Sequence, residues 1–229
     1  MLSLVAFDMD GTLVDVESSW AAVHQAFDDE NTEGLRAFME DRIDDEEFVR
    51  SDVRLWQRHR PDLTLAEIAT ILSGVPLMPG AVGLLKALHD RGVATAIVSG
   101  GLDLLAERIG RELGIDHVYA NGLRADPKGR LTGEGIIRVP IWGKEAVLEA
   151  LQGRLGIGPE ATASIGNSEI DAGLFRRSRI GIAFCPEDDA IRAVATTVVE
   201  ERDLGRCLAP LLVDGPPAPA GRSPPAKRS

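Results

Sequence analysis

Two carboxylates stand directly after the first apolar segment of the chain. Asp8 and Asp10 follow an almost continuous apolar run that begins at Leu2, which is typical of a strand buried on both faces in a parallel sheet. Side chains two residues apart in a strand point the same way, so these carboxylates can address one site. Gly11 then allows the backbone to turn sharply. Because ligands of open α/β sheets bind at the carboxyl ends of strands, we expect chemistry here.

Other polar positions follow later apolar runs. Ser99 and the glycine pair after it lie between a predicted strand and a predicted helix, where a hydroxyl and backbone N–H groups can bind phosphate. Lys144 begins a predicted helix. Its positive charge opposes the helix dipole there, so the position indicates a role other than stabilising the helix. Asn167 and Asp171 follow a further strand and can share one helix face.

Together these positions supply carboxylates, a hydroxyl, an ammonium group and an amide at the ends of strands. Phosphoryl transfer needs such a set, because a carboxylate can attack an anionic phosphate only where Mg²⁺ and cationic donors cancel charge. Mg²⁺ prefers hard oxygen ligands and retains several waters. The residues therefore indicate phosphoryl transfer with Mg²⁺ as the cofactor.

The elements that must position these groups alternate between strand and helix. Apolar runs predict strands at residues 2–7, 93–99, 117–123, 161–165, 180–184 and 196–199. Helical periodicity predicts helices at residues 81–90, 102–113 and 144–155. A turn signal at residues 126–129 predicts a β-hairpin flap. The alternation predicts an α/β fold with a doubly wound parallel sheet.

A long segment after the first strand interrupts this alternation. Residues 15–77 are polar and charged, with apolar residues at helical spacing. Connections from strand to helix usually span about 2 to 6 residues, so we interpret this segment as a helical cap domain. The core domain then comprises residues 1–14 and 78–213. Residues 214–229 are rich in Pro, Ala and Ser, and we predict a disordered tail.

The composition argues against several classes of partner and site. The 25 basic and 36 acidic residues give a net charge of −11, which argues against nucleic acid or an anionic membrane as a partner. No apolar run is long enough to span a bilayer and no leader pattern precedes Asp8, so we expect a cytoplasmic protein. Cys185 and Cys207 do not make a disulfide framework, and their spacing is not that of a zinc site. Nothing in the sequence predicts an oligomeric state.

Four motifs, in their order and spacing, resemble those of the haloacid dehalogenase superfamily: DMDGTLVD, VSGG, the lone Lys144 and GNSEID. The position of the insert and the region of Glu17 resemble the phosphoserine-phosphatase subgroup. The likeness extends from Leu2 to about Leu212. It implies a Rossmann-like core with a helical cap, and a Mg²⁺-dependent phosphatase of a small phosphorylated metabolite that reacts through an aspartyl-phosphate.

The resemblance implies roles at the reacting centre. Asp8 would be the nucleophile and a metal ligand. Asp10 would protonate the leaving alcohol, then activate the attacking water, and bind Mg²⁺ through its backbone carbonyl. The family usually has Asp where Asn167 stands, and because Asn offers one neutral oxygen we expect weaker Mg²⁺ binding. Asp171 would partly compensate, as a metal ligand or as a positioning group.

The resemblance also implies the groups that bind the substrate. Ser99, the N–H of Gly100 and Lys144 would hold the phosphoryl oxygens, and Glu17 would contact the substrate's amino group. In the subgroup, a cap arginine holds the substrate carboxylate. That position aligns with Asp52 in this chain, so the identity of the phosphate ester stays open.

Two alternatives to a phosphatase also stay open. A phosphotransferase would use the same phosphoenzyme and pass the phosphoryl group to an alcohol. A protein that binds a phosphorylated metabolite without turnover would follow if Asn167 disabled the metal site. The four histidines show no pairing in the sequence and receive no role, and we interpret Trp20, Phe27 and Trp56 as apolar core of the cap.

Overall fold

The computed structural model describes residues 1–212 and contains a seven-stranded sheet. The strands are β1 Leu4–Phe7, β2 Ala94–Leu102, β3 His117–Ala125, β4 Leu131–Ile136, β5 Thr162–Gly166, β6 Ile180–Phe184 and β7 Thr197–Val199. Their order in space is β4-β3-β2-β1-β5-β6-β7, and neighbours are parallel except for the antiparallel pair of β3 and β4. The predicted tail at residues 214–229 lies outside the described residues.

Strand β1 lies in the middle of the sheet, between β2 and β5. Its residues are fully buried, and they alternate between the two faces. Val5 and Phe7 pack into one apolar cluster, whereas Leu4 and Ala6 pack into another. A strand covered on both faces needs the continuous apolar run that this sequence has. The chain crosses to opposite sides of β1 in building the sheet, so the end of β1 lies at a topological switch point.

Four helices lie between β1 and the next core element, in the segment that we call the helical insert (residues 15–77). They are α1 Ser19–Ala26, α2 Thr32–Met39, α3 Asp45–His59 and α4 Leu65–Ser73. Each begins at a polar N-cap whose side chain accepts a backbone hydrogen bond. Trp56 and Ile68 are fully buried in the same apolar cluster as Phe7, so the insert packs continuously onto the sheet. Its division from the core as a separate cap domain stays a prediction.

Within residues 1–212, six further helices flank the strands of the sheet. They are α5 Ala81–His89, α6 Asp103–Leu113, α7 Lys144–Leu155, α8 Ala172–Arg176, α9 Asp189–Val194 and α10 Leu208–Leu212. Strand and helix alternate with apolar clusters on both faces of the sheet, which confirms the predicted α/β fold with a doubly wound, mostly parallel sheet. Among residues 1–212, every helix is too short or too polar to cross a membrane.

The structure extends β2 beyond the predicted end at Ser99. The strand continues through both glycines to Leu102, and its register against β3 shifts after Val98. A Cβ on Gly101 would stand 2.6 Å from Ser19 Oγ and 2.7 Å from Asp10 Oδ2. The glycine is therefore required by close packing at the end of a strand, and it does not form a strand-to-helix turn. The predicted hairpin is present between β3 and β4.

Candidate active site

Lys144 lies between two buried carboxylates. Its Nζ donates to Asp8 Oδ1 over 2.7 Å and to Asp171 Oδ1 over 2.6 Å. The exposed fractions of Lys144, Asp8 and Asp171 are 3%, 6% and 0%. Asp8 follows β1, Lys144 is the first residue of α7, and Asp171 directly precedes α8. The sheet topology thus joins a lysine and a carboxylate that are 136 positions apart in the sequence.

One cation shared by two anions explains the pKa values of this group. Burial opposes the charge of Lys144, but Asp171 and Asp8 outweigh it and raise the pKa of Lys144 above its usual range. Burial, together with the charge of Asp8, raises the pKa of Asp171, and Lys144 offsets only part of that rise. When all three side chains are ionised, two carboxylates and one ammonium group leave one negative charge in excess, which a further cation would neutralise.

Asp10 combines an unused oxygen with a raised pKa. Its Oδ2 accepts two hydrogen bonds of 2.8 Å from Ser19, one from the backbone N–H and one from the hydroxyl. Its Oδ1 is buried and has no hydrogen-bond partner in residues 1–212. Burial, and to a smaller extent the charge of Asp8, raises the pKa of Asp10 to about 7, although the bonds from Ser19 oppose this. Such a carboxyl group can donate or accept a proton near neutral pH.

Ser99 and Asn121 form the side of the site next to β2. Ser99 is buried, and its Oγ accepts a hydrogen bond of 3.1 Å from the N–H of Gly101. The carbonyl of Gly100 accepts from Trp20 Nε1 at 3.0 Å and from Asn121 Nδ2 at 3.2 Å. These bonds determine the orientation of the Gly100–Gly101 peptide, and they attach the start of α1 to the end of β2.

Asn167 lies on the other side of Asp8, after β5. Its Nδ2 donates to Glu187 Oε1 over 2.8 Å, and its backbone N–H donates to Asp171 Oδ2 over 2.9 Å. Because the amide nitrogen faces Glu187, the amide oxygen stays available to a ligand. Burial, followed by the charges of Glu17 and Asp8, raises the pKa of Glu187.

A cavity of about 600 Å³ lies between the strand ends and the helical insert. Seven of the predicted site residues line it: Asp8, Asp10, Glu17, Ser99, Gly100, Lys144 and Asn167. Asp171 lies behind Lys144, and both of its oxygens accept hydrogen bonds from the protein. Glu17 is exposed at the cavity wall. A cavity of this size suits a small molecule, since such sites measure about 300 to 1,000 Å³.

The sequence profile of the haloacid dehalogenase-like hydrolase family matches residues 5–176. The chain belongs to this family. The profile spans the segments that carry Asp8, Ser99 and Lys144, which line the cavity, and Asp171, which contacts Lys144 from behind.

Two curated relatives that resemble the chain over most of its length are phosphoserine phosphatases. That of Methanocaldococcus jannaschii is 30% identical over 208 residues, which is 90% of this chain and 95% of the relative. That of Wolinella succinogenes is 30% identical over 92% of this chain and all of the relative. A solved phospho-aspartyl intermediate analogue of phosphoserine phosphatase superposes with a TM-score of 0.77 at 27% identity, covering 91% of this chain and 98% of that structure. The chain is accordingly a family phosphatase, a phosphoric monoester hydrolase.

The donor atoms around Asp8 fit a Mg²⁺ ion, the metal on which phosphatases of this family generally depend. In residues 1–212 no three His, Cys, Asp or Glu side chains cluster as a metal site, so a cage of carboxylates is absent from that part of the chain. Mg²⁺ needs only one or two carboxylates, because waters and phosphate oxygens complete its shell. The carboxylate of Asp8, the free amide oxygen of Asn167 and the excess negative charge beside Lys144 meet that requirement.

The structure corrects the prediction that the histidines are unpaired. His24 Nε2 lies 2.8 Å from Asp52 Oδ1, and both residues are buried. His59 Nε2 lies 2.8 Å from Asp29 Oδ2 near the surface. Both pairs join different helices or loops of the insert, about 30 residues apart, so local sequence carries no signal for them.

Trp56 is fully buried, as predicted for apolar core, but Trp20 also lines the cavity. The two rings stack, with their centroids 5.8 Å apart. Three residues that sequence reasoning missed contact the predicted ones directly: Ser19, Asn121 and Glu187. Ser19 follows the N-cap of α1 and Asn121 lies inside a strand, and neither position carries a motif of its own.

Proposed function

We propose that this phosphatase hydrolyses a small phosphate monoester in a Mg²⁺-dependent reaction, and that Asp8 carries the phosphoryl group between the two steps. The observation that best supports the proposal is the pairing of buried Asp8 with Lys144 at 2.7 Å, in a cavity that also contains the unused Oδ1 of Asp10. A cytoplasmic location and the absence of a nucleic-acid or membrane partner remain predictions.

In the first step, the free oxygen of Asp8 attacks phosphorus and the bond from phosphorus to the alcohol oxygen breaks. Asp10 donates its proton to the departing alcohol oxygen, for which its pKa of about 7 is suited. Lys144 Nζ, Ser99 Oγ and the N–H of Gly100 are the donors proposed to bind the phosphoryl oxygens. Their preset positions stabilise the charge that develops there.

In the second step, water attacks phosphorus and the bond from phosphorus to Asp8 breaks. Asp10, now ionised, accepts a proton from that water, so one residue serves both steps. Inorganic phosphate leaves, and Asp8 returns to its starting state. The hydrogen bonds from Ser19 keep Asp10 Oδ2 in place, which directs Oδ1 to the reacting oxygen.

Asp8, the backbone carbonyl of Asp10 and Asn167 are the proposed ligands of Mg²⁺. When bound, the ion neutralises the negative charge that the phosphate and the carboxylates bring together. Asp171 is the proposed positioning group, because it orients both Lys144 and the backbone of Asn167. Asn167 contributes no charge, so the affinity for Mg²⁺ is lower than Asp would give.

The test is release of inorganic phosphate from an aryl phosphate, with Mg²⁺ and with a chelator, beside Asp8→Asn. We expect turnover that requires Mg²⁺ and disappears in Asp8→Asn, because an amide is not a nucleophile for phosphorus. The matched control is Asp189→Asn, which alters a fully exposed carboxylate away from the cavity and should retain activity. Turnover that survives in Asp8→Asn would contradict the proposal.

A further inference from the structure

The insert side of the cavity is strongly acidic. Five acidic residues of the insert line the cavity: Glu17, Asp29, Glu30, Asp45 and Asp52. Among the described residues that line it, Lys144 is the only lysine or arginine. Lys144 is already engaged by Asp8 and Asp171 and lies at the phosphoryl end. The part of the cavity beyond the phosphate therefore has acidic groups but no lysine or arginine in residues 1–212.

The two arginines nearest to Asp52 in sequence do not supply such a group. Arg50 donates to Glu134 at 2.9 Å and also contacts two glutamates of its own helix. Arg54 contacts Glu47 at 2.6 Å. Neither arginine lines the cavity. Glutamates outside the cavity pair with both charges, so within residues 1–212 no guanidinium is placed to bind a substrate carboxylate in the cavity.

Asp52 lines the cavity and has one carboxylate oxygen without a hydrogen-bond partner among residues 1–212. The residue is only 3% exposed. Its hydrogen bonds in residues 1–212 all reach Oδ1, from His24 Nε2 at 2.8 Å and from Asn31 Nδ2 at 2.7 Å. Oδ2 is left without a partner in that part of the chain and can accept a hydrogen bond from a ligand. A ligand carboxylate at this place would instead face a buried like charge.

The apolar part of the same wall is suited to a cation. Trp20 and Phe48 line the cavity together with the acidic groups. Trp20 is held in place by its hydrogen bond to Gly100 and by stacking on Trp56. The face of an aromatic ring attracts an ammonium group, and the effect adds to that of nearby carboxylates.

We propose that the active-site cavity selects phosphate monoesters whose alcohol carries an amine and no carboxylate, with Asp52 as the specificity-determining residue. The inference rests on the proposed phosphatase function and names the substrate class of that same site. Lys144 and the proposed Mg²⁺ bind the phosphate group, and the acidic wall around Asp52 binds the ammonium group.

Three probes test the inference. O-Phosphoethanolamine is the reference, 2-hydroxyethyl phosphate has a hydroxyl in place of its amine, and O-phosphoserine has an added carboxylate. Phosphate release is measured with Mg²⁺ for each probe, and an aryl phosphate reports the reaction itself. We expect kcat/KM for O-phosphoethanolamine to exceed that for O-phosphoserine by about tenfold or more, because the carboxylate of O-phosphoserine is repelled by the acidic wall. We expect it also to exceed the value for 2-hydroxyethyl phosphate, because of the amine.

The variant Asp52→Asn identifies the residue responsible. Asn keeps the shape and an oxygen for His24 but removes the charge, so the ratio between O-phosphoethanolamine and 2-hydroxyethyl phosphate should fall towards one. Asp62→Asn is the matched control, because Asp62 is exposed and does not line the cavity, and it should leave the ratio unchanged. The midpoint of thermal unfolding shows whether Asp52→Asn is folded, and the ratio within one variant does not depend on its active fraction.

The outcomes separate the inference from the proposed function. Turnover of the aryl phosphate with O-phosphoserine preferred, or with equal values for the amine and the hydroxyl probe, overturns the inference and leaves the phosphatase intact. A wild-type preference that is unchanged in Asp52→Asn overturns the role of Asp52. Absence of phosphate release from all four compounds overturns the proposed function and the inference with it.

Discussion

The two sides of the cavity are built in different ways. The phosphoryl side takes its residues from the carboxyl-terminal parts of neighbouring strands, since Asp8 and Asn167 directly follow β1 and β5, and Ser99 lies in the second half of β2. The substrate side takes Trp20, His24 and Asp52 from helices of the insert. Backbone register positions the first group, because Phe7, which directly precedes Asp8, pairs with both Ile97 of β2 and Ile165 of β5. Side-chain contacts between helices position the second.

Because of this difference, the phosphoryl side carries out the reaction and the insert side selects the substrate. The strand ends are held by a ladder of backbone hydrogen bonds that does not depend on side chains, so a reacting group can remain in place while the insert changes. The insert side depends on individual pairs such as His24 with Asp52. We therefore expect variants on the phosphoryl side to impair every substrate, and variants on the insert side to change the ratio between substrates.

The largest effect is expected for Lys144→Met, which removes the cation shared by Asp8 and Asp171. Turnover of all esters should fall by about 10³-fold, as for the loss of a donor to the developing charge. Two buried carboxylates would remain without a cation, so the free energy of unfolding should decrease by about 3–5 kcal/mol. Phosphate release and urea unfolding measure the two effects.

Lys86→Met is the control for that variant. Lys86 makes an exposed pair with Asp90, and replacing it should leave both stability and turnover almost unchanged. Wild-type turnover in Lys144→Met would show that the phosphoryl side does not use Lys144, and the comparison between the two sides would fail.

Asp10→Asn should slow turnover by about 10²-fold or more, because the proton donor and acceptor is lost. It should also stabilise the protein at high pH. The pKa of Asp10 rises from its ordinary 3.8 to about 7, so within that window the unfolded chain releases the proton that the folded protein still holds, and stability falls as pH rises. Asn cannot ionise, so the gain in thermal unfolding midpoint, measured in chelator, should be larger at pH 8 than at pH 5. A gain that is equal at both pH values would contradict this account.

Asn167→Asp should raise the affinity for Mg²⁺, because it adds a charged oxygen ligand. The gain is limited by Glu187, whose carboxylate lies 2.8 Å from the amide nitrogen that Asp would replace. The double variant N167D/E187Q should therefore bind Mg²⁺ more tightly than the single variant, by about tenfold. A Mg²⁺ titration of activity measures both, with E187Q alone as the control. No gain in either variant would exclude Asn167 as a ligand.

The smallest effect is expected for Ser19→Ala, which acts where the two sides meet. Ser19 Oγ donates to Asp10 Oδ2 at 2.8 Å and accepts from the N–H of Leu102 at 3.0 Å. Its removal should cost about 1–3 kcal/mol of stability, since two buried groups lose a partner. kcat should fall for all esters alike, because Asp10 is less well oriented. A change in the ratio between substrates would instead place Ser19 among the selecting residues.

Most of the phosphoryl side was predictable from sequence, for a physical reason. A buried parallel strand requires an apolar run, and a polar residue that follows such a run must lie at the sheet edge. Asp8 and Asn167 satisfy this rule, whereas Ser99 ends its apolar run while β2 continues beyond it. Within residues 1–212, the apolar runs predict six of the seven strands, and the turn signal predicts the hairpin that contains β4. The predicted end of β2 at Ser99 was wrong. A glycine pair in a sequence usually indicates a turn, whereas Gly101 lies in the strand and is required there by close packing.

Taken by itself, the sequence determined the α/β alternation, the insert after β1 and the residues that meet at the strand ends, because each depends on local periodicity and chain order. Only the tertiary structure decided the partners of those residues and the character of the substrate side. Asp52 with His24, and Asn167 with Glu187, are 28 and 20 positions apart. Contacts of that kind depend on how helices and loops pack against one another, which no local pattern encodes.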